Sequence, residues 1–348
     1  MLLFRWRAPG RAATWVLVGA LTGIACSDGS YEPLVVGTGA VPTDPTGGTG
    51  NGGAAELGGT DEPSTGGAQG GTGGAQGGTG GRSGGTGGGG SGGGGTGGTQ
   101  PELPPVTGNC SGWASRYWDC CKPHCAWRAN VSGNPTRQCG ANDEPLGGDP
   151  DTQQSACNGG PAYMCHGMAP WVSSSNGNLA YGFAAINNSG SVCGRCYRLQ
   201  FDGSSHSGTS LGAQAIAGKQ MVVQVTNVGG LEGGQFDLLI PGGGVGDFDA
   251  CTSQWGTADI GERYGGFLTT CQRELGYNAE LAEYKSCVAA RCQAVFGGSL
   301  PELYDGCRWF VDWFEVADNP TFVYEPTTCP SELTAASGLT AQSASGCL

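Results

Sequence analysis

Two aspartates stand out among the acidic residues because of the sequence around them. Asp119 lies in the run 116–121, RYWDCC, between aromatic residues and an adjacent pair of cysteines. Asp237 lies in the largely apolar run 235–241, QFDLLIP. Apolar surroundings raise the pKa of a carboxyl group, and two carboxyls in different environments can serve as general acid and general base. The pair is therefore a candidate for acid–base chemistry. The alternatives are an Asp119–Arg116 ion pair and a turn-capping Asp237.

The histidines and glycine-rich runs do not indicate another kind of catalysis. A Ser-His-Asp or Cys-His site requires a histidine beside a positioned partner. His124 and His166 adjoin cysteines, and His206 lies in a Gly/Ser-rich loop. The glycines at 242–246 lack the following Lys-Ser/Thr of a phosphate-binding loop. With three histidines and no paired Cys-x-x-Cys module, zinc is not indicated either, and we expect no cofactor and no metal.

The cysteines and the N-terminus indicate export. Sixteen of the 17 cysteines lie between residues 110 and 348, which is typical of a disulfide framework made in an oxidising compartment. Basic residues precede a short apolar run at 13–25, so residues 1–26 are predicted to be an export signal. Small residues before Cys26 resemble a lipoprotein cleavage site. We expect an extracellular or cell-surface protein, with Cys26 lipidated, or with ordinary secretion as the alternative.

The composition divides the chain further. Thirty-two of the 70 glycines lie between residues 37 and 108, in Gly/Thr/Ser-rich sequence that cannot bury enough apolar surface to fold. Residues 27–108 are therefore predicted to be a disordered linker, and residues 109–348 one catalytic domain. That domain has 22 acidic and 12 basic residues, and the whole chain has a net charge of −13. Such an acidic surface argues against a nucleic-acid partner and is compatible with a neutral polymer.

Short strands must position the two aspartates. Residues 219–227 are rich in β-formers, 236–240 form a second apolar run, and 309–314 and 321–324 are further strand candidates. Residues 272–296 have helical spacing of apolar residues. Many short strands together with disulfides predict a mainly β fold, a small barrel with helical decorations.

The run 115–127, SRYWDCCKPHCAW, resembles the signature of glycoside hydrolase family 45, the small endo-β-1,4-glucanases. Further matches follow in the same order, so the likeness covers about residues 110–348. They are PW at 170–171, GFAA at 182–185, KQMVVQ at 219–224, FDLLIPGGGVG at 236–246, RYGG at 263–266, RWF at 308–310, DWF at 312–314 and ADNP at 317–320.

The resemblance implies a six-stranded double-psi β-barrel crossed by an open groove, and inverting hydrolysis of β-1,4-glucosidic bonds in cellulose or related β-glucans. It implies that Asp119 is the general base and Asp237 the general acid. The substrate-binding candidates are Ser115, Tyr117, Trp127 and Gln235. For Tyr117 and Trp127 the resemblance implies packing on sugar rings, with a place in the core as the alternative. We expect a monomer.

The resemblance also implies disulfide pairings. They are 120–251, 121–157, 125–193, 139–165, 196–329 and 271–307. One family cysteine is replaced by Gly194, which would leave Cys347 without its partner, and the additional Cys110 could restore a bridge as 110–347. Cys287 and Cys292 are also additional, and we predict that they pair with each other.

Two departures from the family pattern lie beside the predicted acid. Gln235 stands where the family often has histidine, and the loop 229–234 is one residue shorter and offers only Glu232. An expansin-like, non-hydrolytic glucan-binding or wall-loosening protein is an alternative function. Expansins lack the base, so the intact motif around Asp119 argues against it. Hydrolysis of another β-1,4-glycan, such as glucomannan, stays open.

Overall fold

The computed structural model describes residues 102–187 and 191–348, which form seven strands and six α-helices. The strands are β1 Cys110–Tyr117, β2 Trp171–Val172, β3 Leu179–Asn187, β4 Cys196–Ser205, β5 Gln220–Gly229, β6 Gln235–Leu239 and β7 Pro320–Thr327. The helices are α1 Leu211–Ala215, α2 Cys251–Trp255, α3 Gly266–Leu275, α4 Leu281–Phe296, α5 Pro301–Asp312 and α6 Ser331–Ser337. Short 3-10 helices are His124–Ala126, Arg128–Asn130, Pro150–Thr152, Ala156–Asn158 and His166–Met168. The predicted export signal at 1–26, Cys26 and linker residues 27–101 lie outside the described ranges.

The strands form one mixed sheet that returns on itself. Their order is β2-β3-β5-β4-β7-β1-β6, and β6 also pairs with β3 through Ala184–Leu238 and Ala185–Asp237. Six strands are therefore paired in a closed ring, with β2 attached outside it. The β1–β6 and β3–β5 pairs are parallel. The predicted disulfide-rich β fold with helical and loop decorations is confirmed.

Aromatic side chains fill the core. Tyr197, Phe236, Phe322 and Tyr324 are buried and meet edge to face, with ring centroids 5.1 to 6.0 Å apart. Such tilted contacts place the positive edge of one ring on the negative face of the next. Because they come from β4, β6 and β7, this cluster fixes β6, and with it Asp237, against the far strands.

The chain just before β1 is attached to the sheet. The Val106 N–H donates to Gln200 Oε1 at 2.9 Å, and the Gly108 N–H donates to Glu325 Oε2 at 3.1 Å. Gln220 Nε2 donates to the Pro104 carbonyl at 2.8 Å. Residues 104–108, within the predicted linker, thus hydrogen-bond to β4, β5 and β7.

The strand predicted at 309–314 is wrong, because residues 309–312 belong to α5. Pro301 occupies the first turn of this helix, where its missing N–H costs nothing. Leu303, Cys307 and Phe310 are buried at helical spacing, and Trp309 is buried beside them. A helix that is apolar on several sides gives a continuous apolar run, which resembles a buried strand.

The helical prediction at 272–296 corresponds to two helices, since α3 ends at Leu275 and α4 begins at Leu281. Gly276 ends α3 with a φ of +86°, a conformation that favours glycine. No helix in the described part of the chain is long and apolar enough to cross a membrane.

Eight disulfides join the described cysteines, and six follow the predicted pairing. These are 110–347, 120–251, 121–157, 125–193, 139–165 and 196–329. The predictions 271–307 and 287–292 are wrong, because Cys271 pairs with Cys287 and Cys292 with Cys307. Cys287 and Cys292 are both in α4, and five residues of helix turn their side chains about 140° apart. One therefore contacts α3 and the other α5.

Candidate active site

A cavity of about 620 Å³ runs along β1 and contains both aspartates. Trp113, Ser115, Tyr117 and Asp119 all line it. Their spacing of two residues is that of one face of a strand, because successive side chains alternate between faces. Of the intervening residues, Ala114 and Trp118 are buried and do not line the cavity, whereas Arg116 is buried but also borders it. Strand β1 therefore supplies one wall of the groove as a row of side chains.

Asp237 joins this row from the neighbouring strand. In the parallel β1–β6 pair, Ser115 lies beside Asp237 and Trp113 beside Gln235. The Ser115 hydroxyl donates to Asp237 Oδ1 at 2.7 Å, and Gln235 Nε2 donates to Ser115 Oγ at 2.8 Å. Gln235 Oε1 in turn accepts from the Glu232 N–H at 3.0 Å. Because Gln235 occupies a lone pair of the Ser115 oxygen, the hydroxyl proton is directed at Asp237.

Burial raises the pKa of Asp237 from its ordinary value to about 6. The Ser115 hydrogen bond and the positive charge of Arg116 act in the opposite direction. Arg116 is itself buried, and its guanidinium donates to Asp318 at 2.7 Å and to the Gly265 carbonyl. Arg116 therefore forms its ion pair with Asp318. The Asp119–Arg116 pair considered from the sequence is not found among the described residues.

Asp119 follows the end of β1 at a turn held by disulfides. Cys120 has a φ of +61°, which turns the chain so that the Cys121 N–H donates to Asp119 Oδ1 at 2.9 Å. The 120–251 and 121–157 bridges hold both residues after the aspartate. The pKa of Asp119 is raised to about 7, mainly by burial; the Cys121 N–H acts to lower it and the charge of Asp237 to raise it.

The cavity therefore contains two buried carboxyls whose pKa values are raised to about 7 and about 6, so in this pH range one can be protonated while the other is ionised. A protonated and an ionised carboxyl facing one groove can donate a proton to one atom and accept a proton from another.

Three of the four predicted substrate-binding residues line the cavity, namely Ser115, Tyr117 and Gln235. Tyr117 is only 8% exposed, and its hydroxyl accepts from Asn227 Nδ2 at 3.0 Å, so most of its ring belongs to the core. Trp127 is not part of this lining. The Lys122 ammonium lies 3.3 Å from the centroid of its ring, a cation–π contact.

Comparison with known proteins identifies the family. The model of glycosyl hydrolase family 45 matches residues 111–275, which include both aspartates. Endoglucanase B of Cellvibrio japonicus (strain Ueda107) is 52% identical over 244 residues, 68% of this chain and 47% of that protein. An endoglucanase of Cryptopygus antarcticus is 40% identical and is covered over 86% of its length. The crystal structure of a cellulase from the Antarctic springtail, Cryptopygus antarcticus, superposes with a TM-score of 0.51 at 38% identity, covering 66% of this chain and 97% of that one.

The chain belongs to glycosyl hydrolase family 45. The resemblance carried by the motif at 115–127 is confirmed, and with it the class of glycoside hydrolases. The chain spans about half the length of Endoglucanase B, the relative with the higher identity.

The sequence reasoning gave no role to two exposed aromatic residues of this family 45 site. Phe248 and Tyr264 are 59% and 64% exposed and line the cavity. Tyr264 donates its hydroxyl proton to Asp247 Oδ1 at 2.6 Å. Both aromatic residues follow glycine-rich or polar sequence that lacks apolar periodicity. This absence of periodicity is a sequence signal that distinguishes them from core residues.

Glycines allow the segment that carries Tyr264 to approach the end of β1. Gly244 has a φ of +102°, and its carbonyl accepts from the Trp118 N–H at 2.8 Å. A Cβ on Gly244 would lie 2.7 to 2.9 Å from the backbone of residues 263–266. The glycine run after Asp237 therefore lets the segment carrying Tyr264 pack directly against the end of β1.

The groups that could hold a cation lie outside the cavity. Among the described residues, three sets of His, Cys, Asp or Glu place their ligand atoms within 4.8 Å of one another. Two of these sets include disulfide-bonded cysteines, which are not available as thiolates. The third is Asp143, His166 and Glu302, in which His166 Nδ1 lies 3.6 Å from Asp143 Oδ2.

Proposed function

We propose that this family 45 chain is an endo-acting enzyme that hydrolyses β-1,4-glucosidic bonds in cellulose or related β-glucans with inversion at the anomeric carbon. The observation that carries the proposal is the pair of carboxyls, Asp119 and Asp237, on adjacent elements facing one open groove, each with a raised pKa. The endoglucanase names of the relatives support the same substrate class. The exposed rings of Phe248 and Tyr264 suit the apolar faces of sugars.

In the proposed reaction, Asp119 is the general base and Asp237 the general acid. Water attacks the anomeric carbon from the side of Asp119, which takes a proton from the water as the new C–O bond forms. The glycosidic C–O bond breaks on the opposite side, and Asp237 gives its proton to the leaving oxygen. Afterwards Asp119 is protonated and Asp237 ionised, so exchange with solvent restores the starting state.

The assignment requires the proton to lie on Asp237 while Asp119 is ionised. Burial raises the pKa of both carboxyls, to about 7 for Asp119 and about 6 for Asp237, so each can hold a proton in this range. A glycosidic oxygen that accepts a hydrogen bond from protonated Asp237 would favour the reactive arrangement.

The proposed enzyme works outside the cell, as a monomer, on a neutral polysaccharide. Eight disulfides among the described residues are typical of proteins made in an oxidising compartment. Attachment through a lipidated Cys26 stays a prediction, which an intact-mass measurement of the mature N-terminus would test.

The test is to purify the chain and assay cello-oligosaccharides, soluble cellulose derivatives and glucomannan, following the released anomer by NMR. Asp119→Asn and Asp237→Asn should each lower kcat by at least 100-fold. Asp312→Asn is the control, since Asp312 is a surface residue paired with Arg308. Release of the retained anomer would refute inversion, and full activity in both site variants would refute the residue assignment. Preference for glucomannan would change the substrate, and binding without cleavage would favour the expansin-like alternative.

A further inference from the structure

Trp113 lies at one end of the groove, and neither the sequence motifs nor the proposed chemistry gives it a role. It is half-buried, it lines the cavity, and its indole stacks on the imidazole of His206. The ring centroids are 4.2 Å apart and the planes differ by 4°. His206 is exposed, so two flat rings stand together at the protein surface beside the groove.

Both rings are attached to well-anchored backbone. The Trp113 N–H donates to the Gly234 carbonyl at 3.1 Å, and Trp113 is paired with Gln235 on one side and Thr321 on the other. The His206 N–H donates to the Asn319 carbonyl at 2.8 Å. A ring held in this way loses little conformational freedom when a ligand stacks on it.

The order of residues along β1 gives the orientation of Trp113 relative to the reaction. Ser115, which holds the proposed acid Asp237, lies between Trp113 and the proposed base Asp119. Trp113 is two residues beyond Ser115, about 7 Å along the strand, on the side away from Asp119. In an inverting reaction the leaving sugar departs on the side of the acid. Trp113 therefore lies where the leaving part of the glucan, which keeps the original reducing end, would extend.

We propose that Trp113, held flat by His206, is a stacking platform for a sugar ring in the leaving-group part of the substrate. This inference rests on the proposed function, because the roles of the two aspartates set the direction of the chain. Its environment fits a neutral sugar: Ser207 and Asn319 line the same end of the cavity and offer polar groups for hydroxyls beside the apolar ring face.

The first test measures binding without catalysis. Trp113→Ala is introduced into the full chain carrying Asp119→Asn, and cellohexaose binding is followed by calorimetry. Loss of one stacking contact should weaken binding about five- to tenfold. Trp113→Phe should recover part of the affinity, and Tyr277→Ala is the control, because Tyr277 is 70% exposed but does not line this cavity. Unchanged affinity in Trp113→Ala would overturn the platform.

The second test reads the direction. In the otherwise native chain, cello-oligosaccharides labelled at the reducing end are cleaved, and the position of cleavage is determined by mass spectrometry. Trp113→Ala should shift cleavage toward products with shorter labelled fragments and raise KM for long substrates more than it lowers kcat. A shift toward longer labelled fragments would place Trp113 on the other side of the cleaved bond and refute the proposed orientation.

Variants of His206 show whether its imidazole supports the Trp113 indole or blocks the indole face that a sugar would use. His206→Phe keeps a flat ring and should retain the affinity, whereas His206→Ala should weaken cellohexaose binding about two- to fivefold because the indole is no longer held. Tighter binding in His206→Ala would mean that the imidazole covers the face that a sugar needs, which contradicts the proposal. The function itself fails separately, if Asp119→Asn and Asp237→Asn keep full activity.

Discussion

At the scale of residues, the site depends on how two carboxyls share a proton. Asp119 is held by a backbone N–H and Asp237 by a hydroxyl, and burial raises the pKa of both. The sequence predicted the two aspartates and the burial of Asp237 in an apolar strand. It did not predict that burial would also raise the pKa of Asp119, because that depends on how completely the folded chain encloses a residue beyond the end of β1.

The pH dependence of the reaction follows from these pKa values. Below about pH 6 the base is lost by protonation, and above about pH 7 the acid is lost by ionisation. We expect kcat/KM on a soluble glucan to give a narrow bell-shaped profile with limbs near pH 6 and pH 7. A flat profile between pH 5 and pH 9 would show that the ionisation of Asp119 and Asp237 does not control kcat/KM.

Ser115 acts on the pKa of the proposed general acid, Asp237. Its hydroxyl donates to Asp237 and lowers the pKa of that carboxyl, so Ser115→Ala should raise the pKa of Asp237 further. We expect the pH profile of kcat/KM to shift upward, with a lower maximal rate because Asp237 is less well oriented. Ser331→Ala, at the start of α6, is the control. A lower rate with an unshifted profile would mean that Ser115 acts only through geometry.

Asp119 is expected to reduce the stability of the fold at neutral pH. Its folded pKa, about 7, lies above the ordinary 3.8, so the folded state binds more protons and stability falls as pH rises through this interval. Asp119→Asn should therefore raise the free energy of unfolding at pH 8, by up to about 4 kcal/mol, and change it little near pH 3.5. Chemical denaturation at the two pH values measures the difference, and equal effects at both would contradict the origin in ionisation.

At the scale of elements, the accuracy of the sequence predictions depended on how each segment is buried. The strands predicted at 219–227, 236–240 and 321–324 correspond to β5, β6 and β7, because their β-branched and aromatic residues suit a pleated surface. The run in α5 was assigned as a strand because the helix is buried on several sides. The sequence alone did not identify Trp113 or Phe248 as groove residues, because their positions depend on neighbours that are distant in sequence.

The helical layer also determines the disulfides of α4. Cys287 faces Cys271 of α3, with Cα atoms 6.0 Å apart, and Cys292 faces Cys307 of α5, with Cα atoms 5.7 Å apart. Peptide mapping of the unreduced protein should therefore recover 271–287 and 292–307. Recovery of a 287–292 bridge would mean that α4 is not helical between these residues, because two positions five apart on a helix point in different directions.

At the scale of the whole molecule, a closed ring of strands leaves little edge for further pairing, and the bridges tie distant parts of the chain to it. The 110–347 disulfide joins the first residue of β1 to the end of the chain, 237 residues away. The 121–157 disulfide closes a shorter loop directly beside Asp119. The 110–347 disulfide therefore stabilises the fold as a whole, whereas the 121–157 disulfide also stabilises the backbone beside Asp119.

Removing each bridge should separate stability from activity. In the chain-entropy view, Cys110→Ser with Cys347→Ser should lower the free energy of unfolding by about 5 kcal/mol, and Cys121→Ser with Cys157→Ser by about 4 kcal/mol. Only the second pair should lower kcat at a temperature where both variants are folded, because the Cys121 N–H orients the Asp119 carboxyl. Denaturation curves and kcat on a soluble glucan measure the two effects. If both variants kept native kcat, the bridge beside Asp119 would be no more than a brace of the fold.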